Sequence, residues 1–184
     1  MTSDLHITAF QIPLVWENTV KNLAFIEKQF INLSQKTDLL LLPEMFTSGF
    51  TMKPDAVSET MKGETIRWMK KWAAKLGIAI GGSLVIKESS KFYNRFIFVT
   101  PKGNLSYYDK RHLFTLAGEH LEYESGNNDG ILEYKGWKIC LRICYDLRFP
   151  TWSRNTQNYD VLIYVANWPQ PRVNAWDILL KARA

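Results

Sequence analysis

The segment Ile139–Pro150, with the sequence ICLRICYDLRFP, constrains the fold and chemistry of this chain more than any other. Its first half alternates, with Ile139, Leu141 and Ile143 on one face, which predicts a β-strand. Cys144 stands where this strand ends and a charged turn begins. Such a turn offers backbone N–H groups to an oxyanion, and a nearby cation would favour the thiolate, the reactive form of cysteine. The pattern indicates either a nucleophile or, as for most isolated cysteines, a buried structural thiol.

Length and composition limit the class of protein. The chain has 184 residues, of which 46% are hydrophobic and 14% aromatic, so we expect residues 1–184 to form a single domain with a sizeable core. The basic residues behind the net charge of +5 are scattered, so no nucleic-acid surface is expected. Cys140 and Cys144 are poorly placed for a disulfide, and there is no signal peptide or long apolar span. These features predict a cytoplasmic protein without a membrane anchor, and the three histidines show no metal-binding spacing.

Two more residues that can carry chemistry are predicted to follow strands. The apolar run that starts at Asp38 is typical of a strand buried on both faces, and it is followed by Glu44. The segment 105–110 predicts another strand, which ends at Lys110. Open sheets collect their sites at the carboxyl ends of strands, so Glu44, Lys110 and Cys144 are expected to lie together. Taken singly, such a glutamate or lysine is more often a solvated surface residue.

The rest of the pattern alternates between strands and helices, which predicts an α/β fold. Further strands are predicted at 5–12, 78–86, 93–100 and 159–166, and helices at 18–34, 62–76, 152–158 and 175–184. The irregular segment 112–128 has the composition of a functional loop.

Three segments closely resemble the signature segments of the nitrilase superfamily of carbon–nitrogen hydrolases. They are LLPEMF at 41–46, YDKRHLF at 108–114 and CYDLRFP at 144–150, in the same order as in that family. The resemblance implies a fold of two facing β-sheets flanked by helices. Further segments are similar to the ω-amidase subgroup, which deamidates 2-oxo acid ω-amides: ANWP at 166–169, Arg172, Trp176 and LLKARA at 179–184.

The resemblance also implies roles for individual residues. Glu44 would be the general base, Cys144 the nucleophile that forms a thioester, and Lys110 the cation that stabilises the oxyanion. The backbone N–H of Tyr145 would be a second oxyanion donor. Acid–base and electrostatic assistance of this kind each contribute about two to four powers of ten in rate. Glu119 falls where many family members have a second glutamate that orients the lysine or the substrate, and a solvated loop acid is the alternative.

The substrate follows less directly from the sequence. The carboxylate of a 2-oxo acid amide requires an arginine fork or several N–H donors, and Arg172 is the candidate, with a surface arginine as the alternative. Phe46, Phe50 and Trp168 are expected to line a compact apolar pocket. Another short-chain amidase or an N-carbamoyl hydrolase remains an alternative, whereas nitrile hydrolysis is disfavoured. No cofactor is expected.

Three charged residues around Cys144 have other expected roles. Asp146 and Arg148 are predicted to form structural pairs that fix the turn, because buried charges need partners. Arg142 shares the predicted face of Cys144, and it either pairs with a carboxylate or lies at an edge.

The end of the chain differs from the family pattern. Chains of this family continue past Ala184 with further strands and a closing segment, so we expect those C-terminal strands to be missing here and the complete enzyme to be a homodimer. The sequence is then either a fragment of a longer protein or a degenerate or naturally shortened relative. The second case leads to a second hypothesis, an inactive relative that acts as an interaction module.

Overall fold

Two β-sheets that face each other form the centre of the molecule, in a computed structural model that describes residues 4–184. One sheet has five strands in the order β1 to β5, and the other has three in the order β6 to β8. The strands are β1 (Ile7–Ala9), β2 (Leu39–Leu41), β3 (Ala79–Glu88), β4 (Lys91–Val99), β5 (Leu105–Asp109), β6 (Ile131–Tyr134), β7 (Trp137–Ile143) and β8 (Val161–Val165). The α-helices are α1 (Thr19–Gln29), α2 (Pro54–Val57), α3 (Glu64–Leu76), α4 (Glu119–Glu122) and α5 (Val173–Arg183). The predicted fold class is confirmed.

The five-stranded sheet is mixed. Strands β1, β2 and β3 run parallel and are connected by α1 and by the segment containing α2 and α3, whereas β3, β4 and β5 are antiparallel neighbours. In the second sheet, β7 pairs with β6 antiparallel and with β8 parallel. The carboxyl ends of β2, β5 and β7 therefore lead to Glu44, Lys110 and Cys144, as predicted.

The core has two layers because the five-stranded sheet is buried on both faces. On one face, Leu40 and Ile97 pack with Ile26 of α1 and Met69 of α3. The other face packs against the second sheet, and the buried residues of this layer include Leu39, Phe96, Phe98, Tyr108, Ile139, Leu141, Ile163 and Val165. Burial of such side chains from water is the main stabilising contribution to the fold.

Some predicted elements differ from the structure. The helix predicted over 62–76 begins at Glu64 and ends at Leu76, where Gly77 adopts a left-handed φ of 69°. The helix predicted over 152–158 is wrong: a short 3₁₀ helix, Pro150–Ser153, is followed by a loop. In that loop the Asn155 side chain bonds the backbone of Tyr159 through both its oxygen and its nitrogen, so a local turn replaces the helix.

The sequence pattern also failed to indicate β6, which forms a hairpin with β7. Lys135 and Gly136 make the turn with φ values of 52° and 81°, as a two-residue hairpin turn requires. From residue 4 onward, no helix is long and apolar enough to cross a membrane.

Candidate active site

Three ionisable side chains form a closed cluster beyond the ends of β2 and β5. The Lys110 ammonium donates to Oε1 of Glu44 at 2.9 Å and to both carboxylate oxygens of Glu119, at 3.0 and 2.9 Å. All three side chains are fully buried. The structure brings the predicted pair of Glu44 and Lys110 together and adds Glu119, so the alternative of a solvated loop acid at Glu119 is wrong.

The backbone on each side of the cluster is fixed by hydrogen bonds. Lys110 donates its N–H to the carbonyl of Asn94 at 3.0 Å and accepts from the N–H of Gly126 at 2.9 Å. Gly126 has to be glycine, because a Cβ there would lie 2.2 Å from the carbonyl oxygen of Asp109. Glu44 stands in a tight turn in which Met45 has a φ of 45°, and the N–H of Asn167 donates to Oε2 of Glu44 at 2.9 Å.

Asn94 is a member of the site that sequence reasoning missed. It is fully buried on β4, and its Nδ2 donates to Oε1 of Glu44 at 2.8 Å and to Oε1 of Glu119 at 3.2 Å. Its Oδ1 accepts from the hydroxyl of Ser83 at 2.8 Å. Asparagine is depleted in strands, so an asparagine within the apolar segment 92–99 was the available signal.

Cys144 is next to this cluster, at the start of a 3₁₀ helix, Cys144–Arg148. Its φ of 45° lies in the left-handed region, which is strained for a residue with a Cβ and is found where function requires a special geometry. Burial and the negative charge of Glu44 raise the pKa of the Cys144 thiol well above its usual range, and Lys110 only partly opposes this. This direction disfavours a resting thiolate, because the ammonium that would stabilise it is already paired with two carboxylates.

The cluster contains one cationic side chain and two carboxyl groups. Burial disfavours the ammonium of Lys110, but Glu44 and Glu119 more than offset this and raise its pKa above the usual range. Burial also raises the pKa of Glu119, which Lys110 opposes and Glu44 reinforces. Because the cluster places two carboxyl groups around a single ammonium beside Cys144, it is a suitable acceptor for the thiol proton.

Asp146 joins the loop after Lys110 to the turn that carries Cys144. Its Oδ1 accepts from the backbone N–H of His112 at 2.9 Å, and its Oδ2 accepts from the N–H of Ile143 at 3.1 Å and from the hydroxyl of Tyr108 at 2.8 Å. The side chain of Asp146 is fully buried. This agrees with the structural role predicted for it.

Arg148 and Arg142 behave differently from Asp146. The predicted structural pairing of Arg148 is wrong: its side chain is exposed, and its guanidinium lies over the rings of Tyr145 and Trp168, 6.0 and 5.3 Å from their centroids. Arg142 is buried and donates to the backbone carbonyls of Asp129, Leu141 and Trp152. The partners of Arg142 are therefore backbone carbonyls and not a carboxylate.

A cavity of about 470 Å³ opens onto Cys144. It is lined by Phe50, Phe114, Leu116, Ala117, Cys144, Tyr145, Arg148, Asn167, Trp168, Pro169 and Arg172. Four residues predicted to bind substrate are therefore in the wall, namely Tyr145, Phe50, Trp168 and Arg172. Two arginines and no acidic side chain are among these lining residues, which is the composition expected of a wall that binds an anionic group.

Phe46 does not line the cavity, and the prediction that it does is wrong. It is fully buried in the layer between the five-stranded sheet and the helices, with its ring centroid 6.2 Å from that of Trp68. The turn at Met45 sends Phe46 to the helical side of the sheet, where Gly82 leaves room for its ring.

Comparisons with known proteins identify the family. Residues 6–184 match the carbon-nitrogen hydrolase family, and the chain therefore belongs to it. The chain is 46% identical over 180 residues to the omega-amidase YafV of Escherichia coli strain K12, covering 98% of this chain and 70% of the relative. It is 39% identical over 173 residues to the 2-oxoglutaramate amidase of Bacillus subtilis strain 168, covering 91% of this chain and 65% of that protein. The predicted enzyme class, an amidase of the carbon–nitrogen hydrolase type, is confirmed.

Solved structures agree with this assignment. XC1258 from Xanthomonas campestris, described as a CN-hydrolase superfamily protein with an arsenic adduct in its active site, is 40% identical and superposes with a TM-score of 0.93. That match covers 98% of this chain and 71% of XC1258. An amidase from Nesterenkonia, 22% identical with a TM-score of 0.85 over the whole chain and 72% of its own, shows the same fold.

Proposed function

We propose that this chain is an ω-amidase, which hydrolyses a small ω-amide bearing a carboxylate, such as 2-oxoglutaramate, to the acid and ammonia. The observation that carries the proposal is the buried cluster of Glu44, Lys110 and Glu119 beside a cysteine that faces a cavity containing Arg172. Relatives named omega-amidase and 2-oxoglutaramate amidase support the same substrate class.

In the first chemical step, the Cys144 sulfur attacks the amide carbon. Because burial and Glu44 raise the pKa of the thiol, a base has to accept its proton, and Glu44 takes it as the sulfur attacks. As the S–C bond forms, the electron pair of the carbonyl moves to oxygen. The ammonium of Lys110 and the backbone N–H of Tyr145, in the first turn of the 3₁₀ helix, stabilise that oxyanion.

The tetrahedral intermediate then collapses to a thioester. The C–N bond breaks as Glu44 returns the proton to the nitrogen, which leaves as ammonia. A water molecule next gives a proton to Glu44 while its oxygen attacks the thioester carbon. The second tetrahedral intermediate then collapses: the S–C bond breaks, Glu44 returns the proton to the sulfur, and the acid product leaves.

Glu119 supports this sequence without contacting the reacting atoms. Its two oxygens hold Lys110, and its Oε2 also accepts from the N–H of Phe114 at 2.6 Å, so the ammonium is held between two fixed carboxylates. Preorganised charge of this kind needs no rearrangement when the oxyanion forms. We assign Glu119 the role of orienting the catalytic lysine.

Recognition of the substrate carboxylate falls to Arg172. Its guanidinium lies 5.0 Å from the ring centroid of Phe114, at the cavity wall, and its own carbonyl accepts from the indole N–H of Trp168 at 2.8 Å. A planar guanidinium binds a carboxylate through two parallel hydrogen bonds. Phe50 and Trp168 would surround the short carbon chain between the carboxylate and the amide.

The experiment is a measurement of ammonia release from 2-oxoglutaramate, butyramide and an N-carbamoyl amino acid. We expect the highest kcat/KM for 2-oxoglutaramate and no turnover by Cys144→Ala. Faster hydrolysis of the N-carbamoyl compound or of butyramide would replace the ω-amidase proposal with one of the alternative amidase activities. A folded chain that hydrolyses none of the three would favour the interaction module.

Alkylation tests the assignment of the nucleophile. Cys140 is fully buried, and burial raises its pKa to about 11, whereas Cys144 faces the cavity. Iodoacetamide followed by peptide mapping should label Cys144 first. Because the pKa of Cys144 is raised, its labelling rate should keep increasing above about pH 9, where an ordinary thiol is already mostly thiolate. Preferential labelling of Cys140 contradicts the assignment.

The proposal also includes the setting in which the enzyme works. We infer a homodimer in the cytoplasm that acts on a small amide and water without a cofactor or nucleic acid. Sedimentation velocity of the purified chain tests the dimer, and activity after exhaustive dialysis against a chelator tests the independence from metal.

A further inference from the structure

Asn94 contacts each of the two glutamates and the backbone of the lysine. Its side-chain amide nitrogen donates to Oε1 of Glu44 and to Oε1 of Glu119, at 2.8 and 3.2 Å, and its backbone carbonyl accepts from the N–H of Lys110 at 3.0 Å. Both hydrogens of the amide are thereby used. Within residues 4–184, Asn94 makes no side-chain hydrogen bond to a residue that lines the cavity.

The orientation of the Asn94 amide is determined by Ser83. The Ser83 hydroxyl oxygen accepts from the backbone N–H of Met45 at 2.8 Å, so its hydrogen is available for Oδ1 of Asn94 at 2.8 Å. A flipped amide would place its oxygen against two carboxylates. The donors therefore run in one direction around a ring, from Met45 to Ser83, from Ser83 to Asn94, and from Asn94 back to Glu44.

This ring of hydrogen bonds limits the acceptor positions that remain free on Glu44. A carboxylate has about four lone-pair positions, two on each oxygen. On Glu44, Oε1 accepts from Lys110 and from Asn94, and Oε2 accepts from the backbone N–H of Asn167. One position on Oε2 is left for the thiol proton.

We propose that Asn94, oriented by Ser83, is a positioning residue that occupies Oε1 of Glu44 and so directs the proton of Cys144 to Oε2. The inference rests on the proposed role of Glu44 as the base. If this is correct, kcat depends on the two N–H donors of the Asn94 side chain and is not maintained by its shape alone.

Two substitutions at the same position separate donation from packing. Asn94→Asp keeps the shape and the acceptor for Ser83 but replaces the donor with an oxygen, whereas Asn94→Ala leaves a small space. We expect kcat at neutral pH to fall by about 10- to 100-fold in Asn94→Ala and further in Asn94→Asp, with KM little changed, because hydrogen bonds to charged groups are among the strong ones. A packing role predicts the opposite order, and that order overturns the inference.

Ser83→Ala provides a variant that leaves the asparagine in place. We expect it to lower kcat less than Asn94→Ala does, also without a large change in KM. Its matched control is Ser153→Ala, another buried serine, whose hydroxyl is 2.5 Å from that of Tyr164 and contacts no member of the cluster. Equal kcat values for Ser83→Ala and Ser153→Ala overturn the inference even if the Asn94 variants fail to fold.

Glu44→Gln separates this inference from the proposed function. Turnover by Glu44→Gln that equals the parent would refute Glu44 as the base, and the inference would fall with it. An inactive Glu44→Gln together with normal Asn94 variants refutes the inference alone. Melting temperatures of all variants establish that the compared proteins are folded.

Discussion

The charged side chains of the buried cluster are paired with one another, whereas those of the cavity wall are not. Glu44, Lys110 and Glu119 are fully buried, and every one of them is hydrogen-bonded to another member. Arg148 and Arg172 are exposed, and their guanidinium groups contact aromatic rings at 5.0 to 6.0 Å. Within residues 4–184, neither arginine has an ion pair with a carboxylate.

The difference follows from the cost of burying charge. A buried ion without a partner is strongly destabilising, so the catalytic charges have to be paired in the folded protein itself. An exposed guanidinium is hydrated and needs no carboxylate partner in the protein, so in the proposed function the substrate supplies that partner. In the proposed mechanism, the chemistry is therefore carried out by groups that are preorganised, and the substrate is recognised by groups that are not.

The largest effect is expected from removing the charge at the centre of the cluster. Lys110→Ala removes the proposed oxyanion donor, so we expect kcat to fall by about 10²–10³-fold. It also leaves two buried carboxylates without their cation, so we expect the free energy of unfolding to fall by about 3–5 kcal/mol. Lys110→Arg should restore little activity, because a planar fork does not replace a compact ammonium between two fixed carboxylates. Steady-state kinetics and denaturant unfolding measure the two losses.

The control for this substitution is a lysine in an ion pair at the surface. Lys87 lies 3.3 Å from Asp55, and both side chains are exposed. Exposed pairs contribute about 0–1 kcal/mol, so Lys87→Ala should change neither stability nor kcat appreciably. Near-normal turnover in a folded Lys110→Ala would show that the buried cluster is structural and would remove the contrast with the cavity wall.

The parts of the site that the sequence predicts are those at strand ends. Glu44, Lys110 and Cys144 each follow a strand, so a rule about topology was enough to place them together. Asn94 lies inside β4, on the face between the sheets, where the pattern gives only burial. The two glutamates that it contacts are 50 and 25 residues away in the sequence, and no local pattern specifies such contacts.

Phe46 and Arg148 show why direction is harder to predict than proximity. Both lie within the signature segments, but the backbone decides where each side chain goes. Met45, with a φ of 45°, turns Phe46 into the core, and Cys144, with the same φ, begins a turn that places Arg148 in the exposed wall of the cavity. Positive φ at a residue other than glycine is set by tertiary contacts, so alternation along the sequence cannot reveal it.

Substitutions of Phe46 and Phe50 test whether these two rings lie in different parts of the molecule. Phe46→Ala should lower the free energy of unfolding by about 3–5 kcal/mol, as truncation of a buried aromatic ring does. Phe50 is half-buried and lines the cavity, and its ring centroid lies 5.2 Å from Nζ of Lys110. Phe50→Ala should therefore lower the free energy of unfolding less than Phe46→Ala does, and it should change KM and kcat. Urea unfolding and kinetics on the same samples compare them. Equal losses of stability, with equal kinetic effects, would contradict the assignment of the two rings to different parts of the molecule.

The smallest expected effect concerns the cavity wall and is selective for the substrate's charge. In Arg172→Ala, kcat/KM for 2-oxoglutaramate should fall by about 10- to 100-fold, since a charge-assisted hydrogen bond contributes about 1.5–3 kcal/mol, while kcat/KM for butyramide stays unchanged. The loss should be larger when Arg148→Ala is added, because Arg148 is the second cation of the same wall. Arg154→Ala is the control, since Arg154 is exposed and lines a different cavity. Parallel losses for the charged and the neutral substrate would mean that Arg172 shapes the cavity, and the carboxylate would then have to be bound elsewhere, with Arg148 as the next candidate.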